Sequence, residues 1–320
     1  MSEQAIPGQA IEAPRNEGRL ARMLDSDLLY SFRRSPVALV SALVALVLII
    51  GSVGAPWLAL HDPMDLASLS LLDSMKPPLP LADADWSNPL GTDNQGRDVL
   101  SAIMYGARIS LLVGFLAVGF AVVVGVAIGL VAGYAGGFLD SLLMRVADVQ
   151  LTFPAILTAL LVDGVIGAAL PGTLHTSLQL YVLIFAIGIN LWPGFARTVR
   201  GSTLVERNKD YVMAARVIGL SSTRVMMLTH VLPNVIGPVL VIGTLALGNA
   251  ILAEATLSFL GVGLPPTEPS LGTLIRIGND FLFSGEWWVT IYPGIALVLM
   301  VLSINLLGDW LRDALNPRLR

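Results

Sequence analysis

The residues that could do chemistry are few, and their spacing suits none of the common reactions. A phosphate-cradling loop needs Gly-x-x-x-x-Gly-Lys. The two lysines here follow other residues, Lys76 after Met75 and Lys209 after Asn208, so neither belongs to such a loop. His61, His175 and His230 fit no metal-ligand spacing, and the absence of cysteine removes thiolate ligands, thiol nucleophiles and disulfides. No serine–histidine–acid constellation is apparent. The segment Asp93-Asn-Gln95-Gly96 echoes a calcium loop, but Met104 stands where the bidentate acid would be. The plainer reading is a turn, with Asp98 capping the following helix. The chain is therefore expected to be non-catalytic, with no metal and no cofactor of its own.

The elements around these residues belong to a membrane. Hydrophobic residues make up 55% of the chain and charged residues 13%, with a mean hydropathy of +0.75. A soluble domain has roughly a quarter of its residues charged. About twenty apolar residues cross the hydrocarbon core as a helix, and six such stretches predict an all-α polytopic protein. They lie at about 37–60, 109–135, 140–162, 180–197, 235–262 and 288–310. The third is the weakest by hydropathy, and is counted because losing it would put the termini on opposite sides.

Orientation follows the placement of Lys and Arg. Arg15, Arg19, Arg22, Arg33 and Arg34 precede the first span. Arg197, Arg200, Arg207, Lys209, Arg216 and Arg224 lie between the fourth and fifth, and Arg312, Arg318 and Arg320 follow the last. Only Lys76, Arg97, Arg108 and Arg276 fall in the opposite loops. Both termini, the tail 1–30 and the loop 197–234 are thus expected in the cytoplasm, and the loop 61–107 outside. The polar N-terminal 36 residues are too long for a signal-peptide n-region, so the first helix is expected to stay attached. Ser35-Pro36 reads as its N-cap and first helical residue. Gly125, Gly129 and Gly133 share one face and predict close helix packing. Pro154, Pro193 and Pro293 predict bends.

Charges within these stretches are candidates for the translocation path or for gating. An unpaired charge at the bilayer centre costs roughly 2.5–3.5 kcal/mol. Arg145 and Asp148, three apart, therefore read as an intrahelical pair near the interface, with gating as the alternative. Glu254 reads as binding backbone amides near the end of its helix, the alternative being a place on the path. The polar loop 197–234 predicts a helix over Lys209–Ile218, a turn at Gly219, and a second helix capped by Ser221 or Ser222 that ends before Pro233. Small side chains at Ala214 and Ala215 would let a partner approach closely. Spacing alone leaves this open against an interfacial helix held at lipid headgroups by Arg207, Lys209 and Arg216.

Three segments carry a family resemblance: Gly91-Thr-Asp-Asn-Gln-Gly-Arg-Asp98 with Tyr105-Gly-Ala-Arg-Ile-Ser110; Tyr211-Val-Met-Ala-Ala-Arg-Val-Ile-Gly219 through His230-Val-Leu-Pro-Asn234; and Glu254-Ala-Thr-Leu-Ser-Phe-Leu-Gly-Val-Gly263 with Pro265-Pro266 and Pro269-Ser270. With Gly308-Asp-Trp-Leu-Arg-Asp313 and Asn316-Pro317 they resemble the C-type permease subunit of dipeptide, oligopeptide and nickel ABC importers, over about Ser31 to Arg320. The resemblance implies the type I importer permease fold, in the bacterial inner membrane. It also implies ATPase coupling through Tyr211, Ala214, Ala215, Arg216, Gly219, Arg224, His230 and Pro233. Implied partners are a homologous B-type permease, two ATPase subunits that bind ATP and magnesium, a periplasmic or lipid-anchored solute-binding protein docking on loops 61–107 and 264–286, and lipid, with no nucleic acid. Two positions depart from the family pattern: Met213 stands where the general importer loop has glutamate, and Leu271 where tryptophan is expected. The implied substrate is a peptide, with nickel or another small solute as the alternative. An ATP-independent secondary transporter is the second class of reading, disfavoured by the scarcity of ionisable residues at mid-membrane.

Overall fold

A computed structural model of the chain describes residues 27–65, 71–169, 171–217, 227–265 and 267–314. A short helix α1 (Asp27–Arg34) leads into α2 (Pro36–Val53), where the Ser35 hydroxyl accepts the Ala38 N–H at 3.2 Å. The inward residues of α2 are small, Ala38, Ser41, Ala45 and Ser52, while Val37, Val40, Leu43, Val47 and Ile50 face outward. This is the pattern expected in lipid. Hydrocarbon solvates large apolar side chains as well as a protein core does, so helix contacts are selected for close approach. Gly54 separates α2 from the short α3 (Ala55–Leu58).

Helix α4 (Val99–Ala135) begins at Asp98, whose Oδ2 accepts from the Ser101 N–H at 2.8 Å and from the Ser101 hydroxyl at 2.6 Å. It packs along α7 (Gly172–Glu206) through a glycine seam. A Cβ at Gly125 would lie 2.5 Å from Phe195 Cβ, one at Gly129 2.6 Å from the Ala196 carbonyl, and one at Gly133 2.7 Å from Thr203 Cβ. Only glycine permits this contact at each position.

The third stretch differs from the expected single span. It is two helices, α5 (Gly137–Thr152) and α6 (Ala155–Ala169), bent by 93°. Phe153 precedes a proline, and that steric clash drives it out of the helical region to φ −84°, ψ 131°. Among the described residues, five helical stretches are long and apolar enough to cross a membrane alone, and the bent pair makes a sixth if counted as one.

A short helix α8 (Asp210–Val217) follows α7, and a π-helical turn (Met227–Val231) runs directly into α9 (Leu232–Phe259). The expected stop before Pro233 is therefore overturned: Pro233 lies in the first turn of α9, where a missing N–H leaves no bond unmade. Helix α10 (Leu271–Asn279), capped by Ser270, was not anticipated within the loop 264–286. It packs on α4, α9 and the last helix, α11 (Trp288–Ala314). Phe32 of α1 meets Trp310 of α11 edge-on at 5.0 Å, which fixes both ends of the described chain at one end of the bundle.

The opposite end carries the ordered segment 71–98. Thr92 is its hub: its hydroxyl donates to the Asp73 carbonyl at 2.5 Å and accepts from the Lys76 N–H at 2.8 Å, while its carbonyl accepts from the Trp288 indole at 3.1 Å. Asp93 accepts from the Gln95 and Arg97 backbone N–H groups and pairs with the Arg97 guanidinium at 2.6 Å. Its two oxygens are thus committed to closing a turn.

Candidate coupling site

The end of the bundle shared with Phe32 and Trp310 carries the residues singled out in the loop 197–234. Helix α8 lies against the end of α4, with Val212 and Ala215 buried beside Tyr134. Its opposite face is open: Met213, Ala214 and Val217 are exposed. This corrects the expectation that both alanines form the approach surface, because Ala215 faces the chain's own body and only Ala214 is presented.

Tyr211 anchors the arrangement. Its hydroxyl donates to Glu206 Oε2 at 2.6 Å, accepts from Asn234 Nδ2 at 3.1 Å and lies 3.3 Å from the His230 carbonyl. Asn234 also donates to the His230 carbonyl at 2.7 Å, and Lys209 holds the other Glu206 oxygen at 2.6 Å. One phenol therefore ties the end of α7, helix α8 and the π-helical turn together. Partial burial, followed by the Glu206 carboxylate, pushes the Tyr211 hydroxyl up to about 12. Glu206 and Asn234 were missed as site residues, although Asn234 lies one helical turn beyond His230, the spacing of facing side chains.

Arginines in the last turns of α7 and at the residue just beyond it hold the neighbouring helices. Arg207 donates to the Gly133 and Tyr134 carbonyls at 2.7 and 3.2 Å, serving acceptors that the end of α4 leaves unpaired. Arg200 grips Asp140 of α5 with two bonds, at 2.5 and 2.7 Å. Asp148 pairs with Arg197 at 2.8 Å, which overturns the expected intrahelical pair with Arg145. Arg145 is exposed on α5. Positions 140 and 148 share a helix face and so do 197 and 200, a pattern that becomes legible only once α5 and α7 are known to be neighbours.

The sequence candidates thus fall in separate places. Tyr211, Ala214, Ala215, His230 and Pro233 gather around α8, with Arg145 and Asp148 on α5. Gly219 and Arg224, together with Ser221 and Ser222, lie outside the described residues, as does the side chain of Arg216. Glu254 is at the far end of α9, fully buried. It accepts from the hydroxyls of Ser110 at 2.7 Å and Ser258 at 2.6 Å, so hydroxyls stand where backbone amides were expected. Ser110 in turn accepts the Leu271 N–H at 3.4 Å, which links α4, α9 and α10.

This architecture has relatives. The chain is 36% identical to the dipeptide transport system permease protein of Haemophilus influenzae, over 91% of this chain and 94% of that one. It is 38% identical to the di/tripeptide transport system permease protein of Pseudomonas aeruginosa, over 91% of each. With the dipeptide permease of Escherichia coli K12 it shares 39% identity, over 90% of this chain and 91% of the relative. The inward-facing MetNI methionine ABC transporter shares the fold, with a TM-score of 0.53 and 18% identity over 67% of this chain and 96% of that one. Residues 26–78 match the N-terminal transmembrane domain of oligopeptide transport permease C. Residues 125–320 match the binding-protein-dependent transport system inner membrane component, and the chain belongs to that family of multi-pass inner-membrane permease subunits.

Proposed function

We propose that this chain forms half of the channel of an ATP-driven importer of di- and oligopeptides and receives its driving force through α8. The observation that carries this reading is the clamp around Tyr211, which fastens a short helix across the ends of α4, α7 and α9 while leaving Met213, Ala214 and Val217 open. A helix lying passively at lipid headgroups has no need of a hydrogen-bonded anchor on α7 and α9 or of side chains packed against α4. The peptide assignment is supported by the names of relatives that match over nine tenths of the chain.

In this reading the termini and α8 face the cytoplasm, where two ATPase subunits lie below the permease pair, one of them seated on the open face of α8. A homologous permease completes the channel, and a solute-binding protein docks at the opposite end, where the segment 71–98 is held rigid through Thr92 and Trp288. Hydrolysis is left to the partners, which bind ATP and magnesium, and this chain binds no cofactor.

The test is to co-express the chain with its partner permease, ATPases and binding protein and to introduce Ala214→Glu. A carboxylate on the exposed face should release the ATPases on purification and abolish peptide uptake, while the permease remains inserted and folded. Retention of the ATPases with unchanged uptake would reduce α8 to an interfacial helix and overturn the coupling assignment.

A further inference from the structure

Helices α6, α7 and α9 meet around a concave recess of about 160 Å³, walled by Ala155, Ile156, Leu191 and Leu257 and carrying the two carboxamides Asn190 and Asn249. At about 1.5 Å per residue, Asn190 lies about 24 Å from the Glu206 end of α7 and Asn249 about 26 Å from the Leu232 end of α9. The two thus share one level, inside the span of a hydrocarbon core about 30 Å thick. Asn190 is held in place: it donates to the Ala186 carbonyl at 2.7 Å and accepts from Gln150 Nε2 at 3.3 Å. Asn249 is exposed, and its carboxamide makes no hydrogen bond among the described residues.

An exposed carboxamide at this depth is costly against lipid, where neither donor nor acceptor would be met. This surface therefore faces something polar. A flat contact with a partner helix would satisfy the amide, but the surface is hollow, with room for about five waters at 30 Å³ each. A carboxamide offers one donor edge and one acceptor edge, which complement the carbonyl and N–H of a peptide bond. The apolar walls tolerate varied side chains.

We propose that Asn249, with Asn190 behind it, is a subsite on the wall of the translocation path that hydrogen-bonds the backbone amide of a peptide in transit. This rests on the peptide-importer reading above. Recognition of the backbone with apolar walls around it gives a path that selects for peptides as a class and is indifferent to their sequence.

Because the chain has no cysteine, Asn249→Cys places a single thiol in this subunit. In the complete importer in proteoliposomes, a charged methanethiosulfonate reagent should modify that thiol at a rate that differs between nucleotide-free and ATP-bound states. Peptide-loaded binding protein should slow the modification about fivefold, while Val298→Cys, on the exposed apolar face of α11, stays unmodified. Asn249→Leu should lower peptide imported per ATP hydrolysed about tenfold, with Asn249→Gln recovering most of it. No modification in any state, or loss of the partner permease from the Asn249→Leu complex, would make Asn249 a packing residue and overturn the proposal. Modification insensitive to peptide, in an importer that does take up peptide, would overturn the subsite alone. A wild-type importer that takes up no peptide would overturn the subsite together with the peptide assignment.

Discussion

At the residue scale, the two polar anchors sit at opposite ends of the bundle and respond to different perturbations. The folded pKa of Tyr211 lies above the ordinary tyrosine value near 10, so its neutral form is the one the fold favours. The resulting contribution is complete below about pH 10 and is lost as pH rises through about 12. Absorbance of tyrosinate should show one ionisation near pH 12 that Tyr211→Phe removes, and the phenolate formed there should loosen α8 by repelling Glu206. Glu254 accepts two hydroxyl hydrogen bonds in a fully buried site. Its replacement by alanine should cost about 2–3 kcal/mol and lower the thermal midpoint in detergent, with Glu254→Gln recovering part of the loss. A midpoint unchanged in Glu254→Ala would remove the link between α9 and α10. Glu254 stood out in the sequence because an acid within an apolar run is conspicuous. Its serine partners did not, since Ser110 is 144 residues away and serine is unremarkable in any helix.

Element boundaries were legible wherever chemistry is local. Ser35-Pro36 and Asp98 announce the starts of α2 and α4 because capping involves residues three apart. The three glycines of α4 announce a close contact without naming its partner, and only the fold supplies Trp192, Phe195, Ala196 and Thr203 across the seam. Helix α10 escaped notice because nine residues between Pro269 and Asn279 are too few for a span, and they carry no charge until Arg276. The seam makes a paired prediction. Gly129→Ala should destabilise the protein by about 1–3 kcal/mol through overpacking. Gly119→Ala, where nothing lies within 4 Å of the added carbon, should be neutral or stabilising through helix propensity. Equal thermal midpoints for the two variants would dissolve the seam as a structural determinant. The Arg200–Asp140 grip should show a coupling of about 1 kcal/mol in a double-mutant cycle, since both groups remain partly exposed.

For the whole molecule, hydropathy made the bundle legible, because lipid imposes a length rule that acts on single helices. What the sequence concealed is which helices touch, and hence that the acids of α5 belong to arginines of α7. Orientation is directly testable in a chain without cysteine: an impermeant maleimide added to spheroplasts should label Ser87→Cys and spare Val217→Cys until the membrane is opened. The reverse pattern would invert the topology. The glycine seam also has a kinematic consequence. Helices α4 and α7 are interlocked at backbone distance over three successive turns, so neither can slide or roll against the other without a collision, and they must travel as a single rigid piece. Any alternation of the channel is then borne outside that piece, at the elbow at Phe153-Pro154 and the π-helical turn before α9, which makes those two places the bearings of the machine.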